Sequence, residues 1–198
     1  VFGGAVALEE DVITEEPSVE QRVEQNKEEK YMIAEYAASL IKPGDFVYID
    51  AGTTTGYMLN FLKNSKSVFV TNAVTHAKKL ALQGNKVILI EGELKGSTEA
   101  LVGGYAAASL KKFHFSKGFF GTNGLTKKAG FTTPDTSEAL VKNKAMEQCK
   151  ECYVLADQSK FDKISPVTFQ QFGRATIITE SKPEGYMECE NIIVVREN

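Results

Sequence analysis

Several things are missing from this sequence, and each absence removes a class of function. No apolar run approaches the roughly 18 residues that a membrane-spanning helix needs. The first residues, Val1-Phe2-Gly3-Gly4-Ala5-Val6, have neither the basic region nor the long apolar core of a secretory signal. An initiator Met is also lacking, so the chain is expected to be cut from something longer. There is no basic excess: 23 Lys and Arg stand against 26 Asp and Glu, a formal charge of −3. A chain of this charge does not attract nucleic acid by itself, and any DNA contact is expected to come from elsewhere. Neither G-x-x-x-x-G-K-[ST] nor a G-x-G-x-x-G after the first strand occurs, which excludes the usual nucleoside triphosphate and dinucleotide sites. The three cysteines are an odd number without secretion signals, which suits a reducing cytosol. Cys149-x-x-Cys152 has no second ligand pair and falls where a helix is expected to give way to a strand, so buried free thiols are expected rather than a zinc or redox site. His76 lies inside an expected helix and His114 just before an expected strand. Neither has the neighbours of a metal centre or a nucleophile triad, and both are read as structural or surface residues. No metal or cofactor is expected.

What is present is an ordinary globular composition, 42% hydrophobic and 25% charged, organised around the stretch from Phe46 to Leu62. Phe46-Val47-Tyr48-Ile49 is a short apolar run and Asp50 follows it. Ala51-Gly52-Thr53-Thr54-Thr55 then leads into Met58, Leu59, Phe61 and Leu62 at helical spacing. The pattern predicts a buried strand, a tight loop and a helix, with Asp50 at the carboxyl end of the strand. In open α/β sheets ligands bind in the crevice beyond such ends. Gly52 is expected to allow the tight turn, and the hydroxyls of Thr53, Thr54 and Thr55 with the free N–H groups of the helix start make a seat for a phosphate. Helix capping alone would require one hydroxyl, not three beside Gly52 and Asp50.

Along the rest of the chain, residues 1–8 are expected to add an edge strand. Residues 9–30 read as a solvated connector that becomes helical near Gln25. Ile33, Ala34, Ala37, Ala38, Leu40 and Ile41 form the stripe of a helix ended by Pro43-Gly44. Strands are expected at 67–70, 86–90, 117–120, 152–156, 175–179 and 191–195. Helices are expected at 73–82 with Asn72 as N-cap, at 105–112, and at 135–150 with Asp135 or Thr136 as cap. Residues 125–134 read as a loop. Strand and helix alternate at a spacing that implies an α/β fold, a mostly parallel sheet with helices on both faces. Residues 1–26 form the N-terminal strand and connector and 27–198 one domain.

Parallel strands place their carboxyl ends on one side, so four polar loops are expected to meet there: Asp50 to Thr55, Thr71-Asn72, Gly121-Thr122-Asn123-Gly124, and Asp157-Gln158-Ser159-Lys160. Two carboxylates, several hydroxyls, an Asn and a Lys suit a polyhydroxylated anion, and a sugar phosphate meets both demands. Plainer readings exist for the parts. Asp157 and Lys160 make an ordinary surface pair, Glu138 and Lys142 an i, i+4 helix brace, and Gly121 and Gly124 turn glycines. The convergence of the loops favours the site.

With these residues in place, the chain resembles the effector-binding domain of the DeoR family of bacterial transcriptional repressors over essentially its whole length. The resemblance is carried by Gly3-Gly4-Ala5, by Arg22, Asn26 and Lys30, and by Asp50-Ala51-Gly52-Thr53-Thr54. It continues through Thr71-Asn72, Phe120-Gly121 to Gly124, Glu138 with Lys142, and Asp157-Gln158-Ser159-Lys160. It implies a three-layer fold like that of ribose-5-phosphate isomerase, and binding of a phosphorylated sugar or related metabolite that alters the grip of an attached helix-turn-helix on operator DNA. It further implies that Gly52, Thr53 and Thr54 hold the phosphate and that Asp50, Asp157 and Lys160 contact the sugar. Thr71, Asn72, Gly121 and Lys142 would line the pocket, with Thr55, Thr122 and Asn123 completing the candidate set. Two departures stand out: Ser116 replaces an acidic residue common in the family, and Glu91-Gly92 replaces a Gly pair, which is expected to put a carboxylate near the crevice.

Two functions follow. A sensor without turnover would work in the cytoplasm as a homo-oligomer, because palindromic operators call for paired DNA-binding domains. A sugar-phosphate isomerase or deaminase of the same fold needs a positioned base, and no His falls in the strand-end loops.

Overall fold

The computed structural model describes residues 19–195. In chain order the elements are α1 (Val19–Glu24), α2 (Lys27–Ser39), β1 (Phe46–Ile49), α3 (Thr53–Met58), β2 (Val68–Thr71), α4 (Val74–Leu82), β3 (Lys86–Leu89), β4 (Glu93–Lys95), β5 (Ala100–Val102), α5 (Gly103–Leu110), β6 (Phe115–Gly121), β7 (Gly124–Thr126), β8 (Gly130–Thr133), α6 (Thr136–Glu147), β9 (Cys149–Leu155), β10 (Val167–Gln170), β11 (Thr176–Thr179) and β12 (Ile192–Val194). The edge strand expected at residues 1–8 lies outside the described residues. The other expected helices and strands appear with ends moved by a few residues, as helix and strand boundaries commonly are.

Seven strands form one parallel sheet in the order β12-β11-β9-β6-β1-β2-β3. Alternation along the strands divides the core in two. Val47, Ile49, Phe69, Phe119 and Leu155 point to the face covered by α2, α3 and α4, where Ile33, Ala37, Met58 and Leu80 meet them. Tyr48, Val70, Phe120 and Val154 point to the other face, against Leu110 of α5 and Ala139, Ala145 and Met146 of α6. Both sides of the central strands are thus apolar, which is why β1 and β2 read as unbroken hydrophobic runs. The result is a three-layer α/β fold.

The stretch read as a loop at 125–134 is a hairpin, and so is the stretch after β3, to which no element was assigned. Residues 124–133 form β7 and β8, which join β10 in an antiparallel sheet of order β10-β8-β7. Gly130 enters β8 at φ +74°, and a Cβ there would meet Gln170 O at 2.2 Å, so this corner requires glycine twice over. The glycine-punctuated stretch after β3 holds the antiparallel pair β4 and β5. Both cysteines of the C-x-x-C lie within β9 as buried free thiols. They face the end of α6, where Cys149 Sγ donates to Ala145 O at 3.1 Å and Cys152 Sγ to Met146 O at 3.5 Å. Among the described residues no helix is long and apolar enough to cross a membrane, and no group of three or more His, Cys, Asp or Glu is placed to hold a metal ion.

Candidate functional site

From β1 the chain moves outward through β2 to β3, then returns to lay β6 along the other side of β1. The crossovers therefore leave β1 and β6 in opposite directions and open a crevice at their carboxyl ends. Asp50 follows β1 and Gly121 ends β6, so both stand at this point. Asp50 N donates to Phe119 O at 2.9 Å, which fixes the residue. Its carboxylate is 1% exposed. Oδ2 accepts from Gly121 N at 3.2 Å and from Lys142 Nζ, which also donates to Gly121 O at 3.1 Å. Oδ1 has no partner within the protein. Burial lifts the Asp50 carboxyl above its ordinary range, while Lys142 and the Gly121 N–H hold part of that rise down. Lys142 reaches Asp50 from α6 and lies 5.5 Å from the centre of the Phe169 ring. The i, i+4 brace with Glu138 is not what engages it.

Beyond Asp50 the backbone passes through Gly52 at φ 168°, ψ 159°, an extended conformation open to any residue. The glycine matters for space instead: a Cβ there would lie 3.2 Å from Thr55 Oγ1. That hydroxyl turns inward, donating to Asp50 O at 2.7 Å with Gly52 O also 3.0 Å away, and Thr55 is fully buried. Thr55 therefore braces the loop, whereas Thr53 and Thr54 line the cavity. Asn72 does not cap α4, whose N-cap is Ala73. Its Oδ1 accepts from Ala51 N at 2.9 Å and its Nδ2 donates to Leu101 O at 3.3 Å, tying the loop after β1 to β5. Thr71 is buried and its hydroxyl accepts from Ala73 N at 3.1 Å.

The loop after β6 supplies Thr122 and Asn123. Thr122 Oγ1 donates to Gly124 O at 2.7 Å, and Asn123 Oδ1 accepts from Thr133 Oγ1 at 3.2 Å. Asp135 caps α6, accepting from Ser137 N at 2.8 Å and Glu138 N at 3.0 Å. Glu138 faces the crevice, and its Oε1 accepts from Lys95 Nζ and Thr98 Oγ1, each at 3.0 Å. Lys95 also reaches Asp135 at 3.0 Å. Burial works against the Lys95 charge, but these two carboxylates outweigh it and raise its pKa. The β4–β5 hairpin is thereby latched to α6.

After β9, Asp157 is buried. Its Oδ1 accepts from Ser159 N at 3.1 Å, Asn26 Nδ2 at 2.9 Å and the Ser159 hydroxyl. Asp157 is not a surface partner of Lys160: it faces a second hollow of about 330 Å³ with Asn26, Glu29 and Glu180, while Lys160 lines the main cavity. Glu91 points away, 3.5 Å from Lys112 on the surface, so the carboxylate expected near the crevice is absent from it.

The main cavity measures about 600 Å³, within the range of about 300–1,000 Å³ usual for small-molecule sites. It brings together Asp50, Gly52, Thr53, Thr54, Asn72, Gly121, Thr122, Asn123, Lys142 and Lys160. Thr55, Thr71 and Asp157 stand behind its wall. Arg22, Lys27, Lys30, Tyr57, Asn60, His76, Lys79 and Glu138 also line it, outside the set chosen at strand ends. His76 was read as structural or surface, yet it borders the cavity at 8% exposure with Nδ1 unpartnered. Burial, then the nearby Lys79 charge, push its pKa down to about 4, with hydrogen bonding to the Gly52 backbone opposing, so the imidazole is neutral at pH 7. The available signal was its place in the first turn of the helix that follows β2, the end of an α/β unit that faces the crevice.

A parallel sheet with a polar, cation-bearing cavity at its switch point defines a small-molecule-binding domain of the three-layer α/β class. The chain belongs to the DeoR C terminal sensor domain family, which matches residues 25–181. It is 45% identical over 201 residues to a Bacillus subtilis (strain 168) protein described as "Uncharacterized HTH-type transcriptional regulator FruR", covering 99% of this chain and 79% of that one. To the HTH-type transcriptional regulator IolR of the same organism it is 35% identical over 185 residues, 92% of this chain and 72% of the relative. Among solved structures, ribose 5-phosphate isomerase A from Methanocaldococcus jannaschii superimposes with a TM-score of 0.52 at 14% identity, covering 69% of this chain and 55% of that one. That likeness concerns the fold alone.

Proposed function

We propose that this chain is the sugar-phosphate-sensing part of a bacterial transcriptional repressor. In this reading a helix-turn-helix domain joined ahead of residues 1–26 holds operator DNA, residues 27–198 hold the effector, and the protein works as a cytoplasmic homo-oligomer. The observation that carries it is the pairing of opposite chemistries in one cavity. Asp50 offers a buried carboxylate oxygen with no protein partner, which suits a sugar hydroxyl. Lys160, Lys30 and Arg22 line the same space and suit a phosphate beside Gly52, Thr53 and Thr54. Thr122, Asn123 and Lys142 complete the lining on the sheet side, while Thr55, Thr71 and Asp157 hold the lining residues in place. Sensing without turnover is supported by relatives that are transcriptional regulators and by how the candidate bases are occupied: one oxygen of Asp50 is held by Lys142, and Glu138 by Lys95 and Thr98.

A thermal-shift screen of pentose and hexose phosphates against the same sugars without phosphate tests this. At a hundred times its Kd a true effector adds about 2.7 kcal/mol of stability, and the parent sugar leaves the melting temperature unchanged. Product formed at enzymatic rates, or equal shifts from phosphorylated and plain sugars, would overturn the reading.

A further inference from the structure

The main cavity runs on past the Gly52–Thr54 loop, between α3 and α4. Gly56, Tyr57 and Asn60 line it from one side, and Thr75, His76 and Lys79 from the other. A Cβ at Gly56 would lie 3.1 Å from His76 Nε2, so glycine at this point lets the imidazole lie close against α3. Burial, then the Lys79 charge, keep that imidazole neutral at pH 7. Among the lining residues of α3, of α4 and of the turn after α3, charge is therefore carried by Lys79 alone. Its Nζ donates to Asn60 Oδ1 at 2.7 Å, a neutral partner, and it forms no ion pair among the described residues.

Other cations stand across the loop. Lys30 on α2 and Lys160 after β9 line the cavity there. The charges acting on Lys30 are those of Asp157, Lys160, Arg22 and Glu29, whereas the one acting on His76 is that of Lys79, so the two ends are electrically separate. Lys160, like Lys79, forms no ion pair among the described residues. In the sheet, β6 and β1 lie between β9 and β2, the strand that leads into α4. Asn60, which holds Lys79, comes eight residues after Gly52, roughly 12 Å further along the helix axis. A phosphate seated at Gly52, Thr53 and Thr54 is thus out of contact with Lys79.

We propose that the cavity takes a ligand acidic at both ends: a phosphorylated sugar whose phosphate meets Lys30 and Lys160, and whose far end carries a second phosphate or a carboxylate that meets Lys79. The inference rests on the sugar-phosphate reading and narrows it to sugar bisphosphates and phosphorylated sugar acids. With a neutral far end, Lys79 keeps only its amide partner. With an acidic one it gains a charge-assisted bond, about twice as strong as a neutral one.

Isothermal titration of the unaltered chain with glucose 6-phosphate, fructose 1,6-bisphosphate, ribulose 1,5-bisphosphate and 6-phosphogluconate tests this. At least one of the three two-ended compounds is expected to bind about tenfold or more tightly than glucose 6-phosphate, as one hydrogen bond between charged groups allows. The bisphosphates against 6-phosphogluconate tell a second phosphate from a carboxylate. Lys79→Met is expected to weaken the preferred compound about tenfold more than it weakens glucose 6-phosphate, and Lys79→Glu to reverse the preference. Lys78→Met removes the neighbouring cation of α4, which does not line the cavity, and is expected to leave the ratio as it was. Melting temperatures of the ligand-free variants control for folding. If glucose 6-phosphate binds and no two-ended compound binds more tightly, the inference is overturned and the sugar-phosphate reading stands. An equal loss of preference in Lys78→Met and Lys79→Met also overturns it, since the effect is then one of overall charge. If none of the four compounds binds, the sugar-phosphate reading falls and the inference falls with it.

Discussion

The two sides of the cavity are held by different means. On the sheet side, Asp50, Lys142 and Asn72 are buried and bonded to one another or to backbone, with Gly121 at the end of β6 between Asp50 and Lys142. On the entry side, α1 has six residues; Tyr57 and Lys30 donate to its backbone, and Asn26 just after it donates to Asp157 and Ser159. Burial leaves little freedom to the first side, because breaking any contact there strands a charge or an amide away from water. On the second side a broken side-chain bond is replaced by one to solvent at small cost. The contrast is between groups fixed by burial and groups fixed by side-chain bonds nearer to solvent, and local stability is commonly lower around the second kind.

The strongest way to break this contrast is to attack the buried pair. Lys142→Met leaves the Asp50 carboxylate buried without its cation, with only the Gly121 N–H to hold it, and is expected to cost about 3–5 kcal/mol in urea unfolding. Joining it to Asp50→Leu is expected to cost less than the sum of the two single changes, because no buried charge then remains. A loss near zero for Lys142→Met would mean that the wall is not rigid. Next in size is a pH effect from His76. Its folded pKa of about 4 lies below the ordinary 6.5, so its burial is free of penalty above pH 6.5 and destabilising as pH falls from there toward 4. The chain is expected to lose about 3 kcal/mol relative to His76→Asn between neutral pH and pH 4. Parallel stability curves for the two proteins would contradict this. Asn72→Ala removes both ties between the loop after β1 and β5, and is expected to cost about 1–3 kcal/mol, since Ala51 N loses its acceptor. The smallest effect sharpens the contrast from the other side: Tyr57→Phe should lower global stability by no more than about 1 kcal/mol while raising hydrogen exchange within residues 19–26.

Much of this was readable in advance, and the gaps have physical causes. Buried parallel strands announce themselves as apolar runs, so β1, β2, β6, β9, β11 and β12 and the crevice at their carboxyl ends could be located from the chain. The small hairpins were missed because β4, β5 and β7 have three residues each, too few to establish alternation. Gly130 four residues after Thr126 was the turn signal available for β7 and β8. Within the site, residue type did not disclose aim. Three consecutive threonines look alike in sequence, yet helix geometry turns Thr55 toward Asp50 O and leaves Thr53 and Thr54 at the cavity. Lys142 and Glu138 sit one turn apart, which suggests mutual pairing. The placement of α6 against β6 and the β4–β5 hairpin gives them separate partners. Arg22 and Lys30 came to notice only through the family resemblance, because their approach depends on a left-handed turn at Asn26 that spacing does not encode.

Lys142 lies 92 residues beyond Asp50, and Asp157 lies 131 beyond Asn26. The hollow is therefore a late product of chain growth: contacts so distant along the polypeptide form only after the intervening strands have docked. A growing polypeptide cannot complete the lining until residues 142–160 have been made, and a fragment ending before β9 would lack Lys160 whatever else it had folded.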